Sequence, residues 1–259
     1  MKAITTSILA CITGAMALTA CGQQPKPTDT IAKPDGFAVL ELFTSEGCSS
    51  CPPADEAIAA VQKATEGKPV YILAYHVDYW NTLGWKDRYS NADFSKRQRR
   101  YGDLLNAQVY TPQLVVNGAA EFVGSDVGAI SSALSNQLSV APTPNLTLQL
   151  SQTGETVNIH YKATQPAKGS SLQIAIVQKN AQTRVERGEN AGHTLSHVQI
   201  VRKLQTVNFN ATGEGDVQIA LPKELNGQAW EVIVLVQDQN TGKIWGAAKA
   251  GLDNSIAGK

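Results

Sequence analysis

A chain of 259 residues, 42% of them hydrophobic, has the length of one large or two modest domains and enough apolar residues to exclude a wholly disordered protein. Its 22 basic and 22 acidic residues balance. That excludes the strong positive field that binding to nucleic acid or an acidic membrane surface draws on, and no nucleic-acid partner is expected.

Lys2 and the uncharged, small-residue stretch Ala3 to Ala17 predict an export signal over residues 1–20. The stretch is too short and too rich in Thr, Ala and Gly for a membrane span. Its end, Leu18-Thr19-Ala20-Cys21, resembles the lipobox of bacterial lipoproteins. The resemblance implies cleavage before Cys21, a lipid on the Cys21 sulfur, and a protein held on the periplasmic side of a bacterial membrane, at the outer membrane. An ordinary secretory signal with a chance cysteine is the alternative. In both cases the folded part lies where disulfides persist. Residues 21–36, polar and Pro-rich, then form a lipidated tether with a reach of roughly 20 Å.

From Phe37 the pattern alternates short apolar runs with helical periods. Phe37–Phe43 and Pro69–Ala74 predict strands; Pro52–Lys63, with Ala54, Ile58 and Val61 on one face, predicts a helix. Ala92–Asn106 predicts a charged amphipathic helix, Gln113–Asn117 and Ala120–Val123 a hairpin around Asn117-Gly118, and Ser125–Leu138 a last helix. The first two strands should be parallel neighbours joined by a right-handed crossover, with the third strand antiparallel to the first. Beyond Ala141-Pro-Thr-Pro144, Leu146–Leu150, Thr156–Tyr161, Leu172–Gln178, Leu195–Val207, Val217–Leu221 and Trp230–Gln237 alternate as short strands, the pattern of a β-sandwich-like module. The fold expected is therefore an α/β thioredoxin-like domain over 37–142, whose element order β-α-β-α-β-β-α it shares, followed by a β-rich, sandwich-like C-terminal domain over 143–259.

Chemistry concentrates at Cys48-Ser-Ser-Cys51, where a strand hands over to a helix. Of the four cysteines, Cys11 leaves with the signal and Cys21 is expected to carry lipid, so Cys48 and Cys51 keep free sulfurs. Ser49 or Ser50 can cap the helix, and Pro52 and Pro53 suit its first turn. Cys48 at the exposed end is the expected nucleophile and Cys51 the resolving thiol. Glu46, Asp55 and Glu56 work against a thiolate, and no Lys, Arg or His stands within the motif. A passive bridge is the alternative, contributing only about 2 kcal/mol for so small a loop.

Other candidates gather around the pair. Thioredoxin-like proteins carry a cis-proline beside theirs, which implies a cis bond at Thr111-Pro112; a trans proline opening a strand is the plain alternative. His76 follows the second strand on the same sheet edge and can shuttle protons, with Asp78 orienting it. Glu41, in an apolar strand, can accept the Cys51 proton through a water. His76, Asp78 and Glu41 equally suit a loop histidine, a cap and a half-exposed strand carboxylate. His193 and His197, four residues apart, read as a solvated pair.

The run Val39-Leu-Glu-Leu-Phe-Thr-Ser-Glu-Gly-Cys48-Ser-Ser-Cys51-Pro-Pro-Ala-Asp55 resembles the opening signature of the DUF1223 family of secreted thioredoxin-like proteins. His76-Val-Asp-Tyr-Trp80, Leu83-Gly-Trp-Lys-Asp87, Tyr110-Thr-Pro-Gln113 and Gly188-Glu-Asn-Ala-Gly192 fit the same pattern. The resemblance implies a thioredoxin-like fold with a β-rich continuation and is silent on substrate. The residues favour a thiol–disulfide oxidoreductase acting on protein or small-molecule thiols and disulfides, without a cofactor. The alternatives are a soft-ligand Cu(I) site formed by Cys48, Cys51 and His76, and a non-catalytic binding module.

Overall fold

The computed structural model describes residues 36–140, 145–164, 169–209, 212–223 and 229–252. The expected export signal, the lipidation at Cys21 and nearly all of the tether lie outside the described residues. Among the described residues no helix is long and apolar enough to cross a membrane.

Strand β1 (Ala38–Thr44) is buried at every position, because both of its faces are covered. Ala38, Leu40 and Leu42 pack under helices α1 (Pro52–Ala64) and α3 (Val127–Leu138), while Val39 and Phe43 pack under α2 (Ala92–Leu105). Strand β2 (Val70–His76) runs parallel to β1, and β3 (Gln113–Val116) runs antiparallel to it. In the three-residue turn to β4 (Ala120–Val123), Asn117 and Gly118 stand at φ 46° and 63°, left-handed conformations that Gly and, after it, Asn adopt most readily. Asn91 caps α2 through its side chain, accepting from Asp93 N at 2.9 Å, and Asp126 caps α3 by accepting from Ala129 N.

The remaining strands are β5 (Leu146–Thr153), β6 (Thr156–Ala163), β7 (Ser170–Arg184), β8 (Thr194–Asn208), β9 (Glu214–Ala220), β10 (Trp230–Asp238) and β11 (Ile244–Leu252). They overturn the expected fold class. Over the described residues the protein is mostly β, with three α-helices, and is not a thioredoxin-like α/β domain followed by a sandwich. One mixed eight-stranded sheet runs β11-β10-β7-β8-β2-β1-β3-β4, and β5, β6 and β9 form a second sheet of three.

The join is β8 beside β2, parallel, with Ile200 opposite Ala74. One hydrophobic cluster spans it: Phe43, Tyr75, Phe94 and Tyr101 pack with Val177, Val201, Ile233 and Ile244. The three-stranded sheet covers Leu172, Ile174 and Ile176 of β7 and Val232, Val234 and Val236 of β10.

Strands β7 and β8 outrun their neighbour. Pairing of β7 with β10 ends at Gln178, whereas its pairing with β8 continues to Arg184 opposite Thr194. A two-stranded arm therefore projects beyond β10. Val198 on it packs against the core shared by α1 and β1. The arm carries residues 185–193 at its tip, and that tip reaches the cysteine loop.

Candidate functional site

Cys48 and Cys51 are joined by a disulfide, and neither has exposed surface (0% each). The chain after β1 turns twice to form the loop, with Cys48 N donating to Ser45 O and Cys51 N to Cys48 O, each at 3.2 Å. Cys51 itself is the N-cap of α1, with no side-chain cap; neither Ser49 nor Ser50 takes that role. Pro52 and Pro53 occupy the first turn, and Ala54 N is already bonded to Cys51 O at 2.9 Å. The helix start thus has no free N–H among these three residues to stabilise a thiolate.

The expected exposed position of Cys48 gives way to a covered one. Thr111 Oγ1 donates to Cys48 Sγ at 3.3 Å and accepts from Trp80 Nε1 at 2.8 Å. Ser50 Oγ lies 3.4 Å from Cys48 Sγ and donates to Thr111 O. The Thr111-Pro112 bond is cis. The arm tip closes the other side: Asn190 Nδ2 donates to both Glu46 O (2.9 Å) and Cys48 O (3.0 Å), and Glu189 Oε2 accepts from Ser49 N at 3.1 Å. The cover is nonetheless shallow, since Ser49 and Ser50 themselves are exposed. Asn190→Ala is expected to speed reduction of the disulfide by a small phosphine about tenfold, because two hydrogen bonds that hold the cover are lost. A stopped-flow comparison at equal reductant checks this, and an unchanged rate would show that Asn190 does not restrict access.

Behind the disulfide lies a buried polar cluster. His76 is fully buried, and its Nδ1 is 2.7 Å from Asp87 Oδ2. Asp87 also accepts from Glu46 N and Tyr89 N, both at 2.8 Å. Burial raises the pKa of Asp87, but the His76 charge and these donors outweigh it and hold the carboxyl below its usual range. Asp78, expected to orient His76, instead accepts from Ser95 Oγ.

His197, on the arm and 2% exposed, is not the solvated residue expected. Its Nε2 is 3.6 Å from Glu46 Oε1, its Nδ1 is 3.4 Å from Asp55 Oδ2, and its ring centre is 4.8 Å from that of His76. Burial pushes its pKa down, yet the Asp55 and Glu46 carboxylates override burial and lift it to about 10. Glu46 is held in turn by Trp85 Nε1 at 2.7 Å. Thr44 Oγ1, Glu46 Oε1, His76 Nε2 and both ring nitrogens of His197 are buried here without hydrogen-bond partners, so His197 meets the two carboxylates at ion-pair distance. His193 is exposed at the arm tip, apart from this cluster.

Glu41 belongs to a different site. It points with Val39 and Phe43 toward α2, where Arg97 Nε (2.7 Å) and the Tyr101 hydroxyl bind its carboxylate. Helix α1, which starts at Cys51, covers the opposite face of β1. Among the described residues no group of three or more His, Cys, Asp or Glu is arranged to hold a metal ion. The two sulfurs of the Cys48, Cys51 and His76 set are bonded to each other. A surface cleft of about 640 Å³ beside the arm has Asn180, Gln182, Ser196, His197 and Ala229 in its walls, and neither cysteine lines it.

The structure therefore brings together Cys48, Cys51, Thr111 and Pro112, places His76 in the cluster behind them, and sends Asp78 and Glu41 elsewhere. Glu46, Asp87, Asn190 and His197 complete the site. The model of a family described as protein of unknown function, DUF1223, matches residues 39–237. This chain belongs to the DUF1223 family. A crystal structure of a protein from Agrobacterium tumefaciens is 30% identical, covers 82% of this chain and 92% of its own, and superposes with a TM-score of 0.62. Chicken interferon gamma receptor alpha chain (13% identity, TM-score 0.28, 54% of this chain and 57% of its own) is too distant to inform the site. So is a β-glucuronidase from Ruminococcus gnavus (10% identity, TM-score 0.24, 43% of this chain and 16% of its own). No curated protein matches the chain significantly. For this DUF1223 protein, then, function rests on the geometry of the cysteine loop.

Proposed function

We propose that this DUF1223 protein is a thiol–disulfide oxidoreductase of the bacterial cell envelope, lipid-anchored through Cys21, with Cys48 as the exchanging sulfur. The observation that carries the reading is the hydroxyl of Thr111 on Cys48 Sγ: a donor already aimed at the sulfur. A partner thiolate attacks Cys48 Sγ, the bond to Cys51 breaks, and Cys51 leaves as a thiolate that takes up a proton. A second partner thiol then loses its proton and displaces Cys48 from the mixed disulfide. The partner dithiol becomes a disulfide, and Cys48 and Cys51 become thiols; the reverse sequence reduces a partner.

A fluorogenic model disulfide tests this. The reduced protein is expected to turn it over, and Cys48→Ser to bring the rate to background. Rates unchanged in Cys48→Ser would remove the proposal. The zero exposure of both sulfurs favours a second reading, a structural bridge that shapes the loop under the arm. In that case the wild-type protein itself would give only background turnover. Anchoring is tested separately, by incorporation of labelled palmitate into the wild type and its loss in Cys21→Ser.

A further inference from the structure

The cysteine loop poses an electrostatic problem. Glu46 stands two residues before Cys48, and Asp55 stands one helical turn after Cys51. Both are buried, at 0% and 7% exposure. Carboxylates this close to a thiol along the chain disfavour its thiolate. The helix start offers little relief, since prolines fill its first two positions and the next N–H is bonded to Cys51 O. Nothing within the motif is positive.

The answer comes from a strand that begins more than 140 residues later in the chain. His197 of β8 lies against both carboxylates, with one ring nitrogen toward each. We propose that His197 is a positioning residue of the Cys48–Cys51 site, a buried cation carried in by the β7–β8 arm that neutralises the carboxylates flanking the pair and so favours the Cys48 thiolate. It acts through Glu46 and Asp55.

The other groups around His197 leave it in this role. From β2, the His76 ring stands edge-on to it, with His76 Nδ1 committed to Asp87. From the segment after the 3-10 turn at Tyr79–Thr82, the Tyr89 ring centre lies 5.8 Å away, and the Arg202 guanidinium stands over that ring, 5.1 Å from its centre. Glu46 from the loop after β1 and Asp55 from α1 are the carboxylates in contact with it. With its pKa lifted to about 10 by the two carboxylates, His197 carries its charge at neutral pH.

The consequence carries a sign that a merely structural role does not. Removing the cation leaves the two carboxylates that flank the pair in the chain without their counter-charge, so His197→Gln is expected to raise the pH midpoint of Cys48 alkylation. At neutral pH the reduced protein should then react with iodoacetamide about tenfold more slowly. Removing one anion has the reverse effect: Asp55→Asn is expected to lower the midpoint and speed alkylation several-fold. A variant that only loosened the arm would expose the sulfur and speed alkylation in both cases.

Midpoints moving in opposite directions support the proposal; midpoints moving together, or not at all, overturn it. Should His197→Gln fail to fold, the ring 15N shifts of His197 in the wild-type protein decide: a doubly protonated imidazole at pH 7.5 supports the assignment, and a neutral one removes it. The inference deepens the redox reading but is measured without any partner disulfide. Absence of turnover would end that reading and leave the alkylation result standing.

Discussion

Arg97→Met is expected to destabilise the fold by about 3–5 kcal/mol, the cost of stranding a buried carboxylate. Arg97 binds Glu41 through Nε at 2.7 Å and Nη2 at 2.6 Å, and the side chains are 8% and 0% exposed. Burial pulls the Arg97 pKa down and Glu41 more than restores it, so Arg97 keeps its charge in the folded state. The guanidinium also stacks over the rings of Tyr75 and Tyr101, and its Nη1 reaches Gln237 of β10 at 3.1 Å. It therefore ties α2 to β1 and to β10, on either side of the β2–β8 join.

Methionine keeps the packing but leaves Glu41 with only the Tyr101 hydroxyl. Glu41→Leu/Arg97→Met removes the stranded charge with its partner and is expected to recover most of the loss, because a well-packed apolar pair replaces a buried ion pair at little net cost. Urea denaturation of the three proteins measures the coupling. A single-variant loss below about 1 kcal/mol, typical of a surface pair, would mean that water reaches Glu41.

Glu41 also shows what the sequence conceals. A lone carboxylate in an apolar strand marks a partner, and Arg97 was in view on the amphipathic helix. The strand's face, and hence whether Glu41 serves α2 or the cysteines, depends on pleat direction, which periodicity alone leaves open when both faces are apolar. The local elements were readable because each rests on local chemistry: Asn117-Gly118 for the hairpin, Pro52-Pro53 for the helix start.

The assembly was not readable. Strand β8 enters the sheet beside β2 through Ile200 and Ala74, and nothing in either segment announces a partner more than a hundred residues away. Strand β11 was missed outright. Its sequence, IWGAAKAGL, is rich in Gly and Ala, which strands disfavour, and it sits at the sheet edge. The arm escaped for a similar reason, since Lys179–Arg184 is polar and carries no apolar alternation. For His197 a signal did exist. Leu195, His197 and Gln199 alternate on one face of β8 with all three buried, and a histidine in step with a core leucine points inward. Asn190 and Asp87 lay inside motifs noted for family resemblance, but spacing gave them no chemical role.

Gly118→Ala tests whether the eight strands stand or fall together. At φ 63°, Gly118 occupies a conformation that costs an alanine about 1–2 kcal/mol. A methyl there would also lie 2.0 Å from the carbonyl oxygen of Gly242, in the turn between β10 and β11. Neither turn is free to retreat. Ile244 N donates to Asn117 O at 2.9 Å, and Asn117 Oδ1 accepts from Val39 N on β1 at 2.6 Å. Gly242 O is bonded to Gln237 Nε2, which reaches Tyr101 of α2 as well. Moving either backbone thus disturbs β1, β10 and the Arg97 network at once, adding about 1–3 kcal/mol of overpacking strain. A total loss of about 2–5 kcal/mol is expected, read as one coincident shift in far-UV circular dichroism and tryptophan fluorescence during urea unfolding. The cluster joining Phe43 and Tyr101 to Ile233 and Ile244 gives the physical reason: its two contributions cannot lose contact separately without exposing a shared apolar face. Two separated transitions, with only one displaced by Gly118→Ala, would mean that the β2–β8 join is too weak to couple the halves of the sheet.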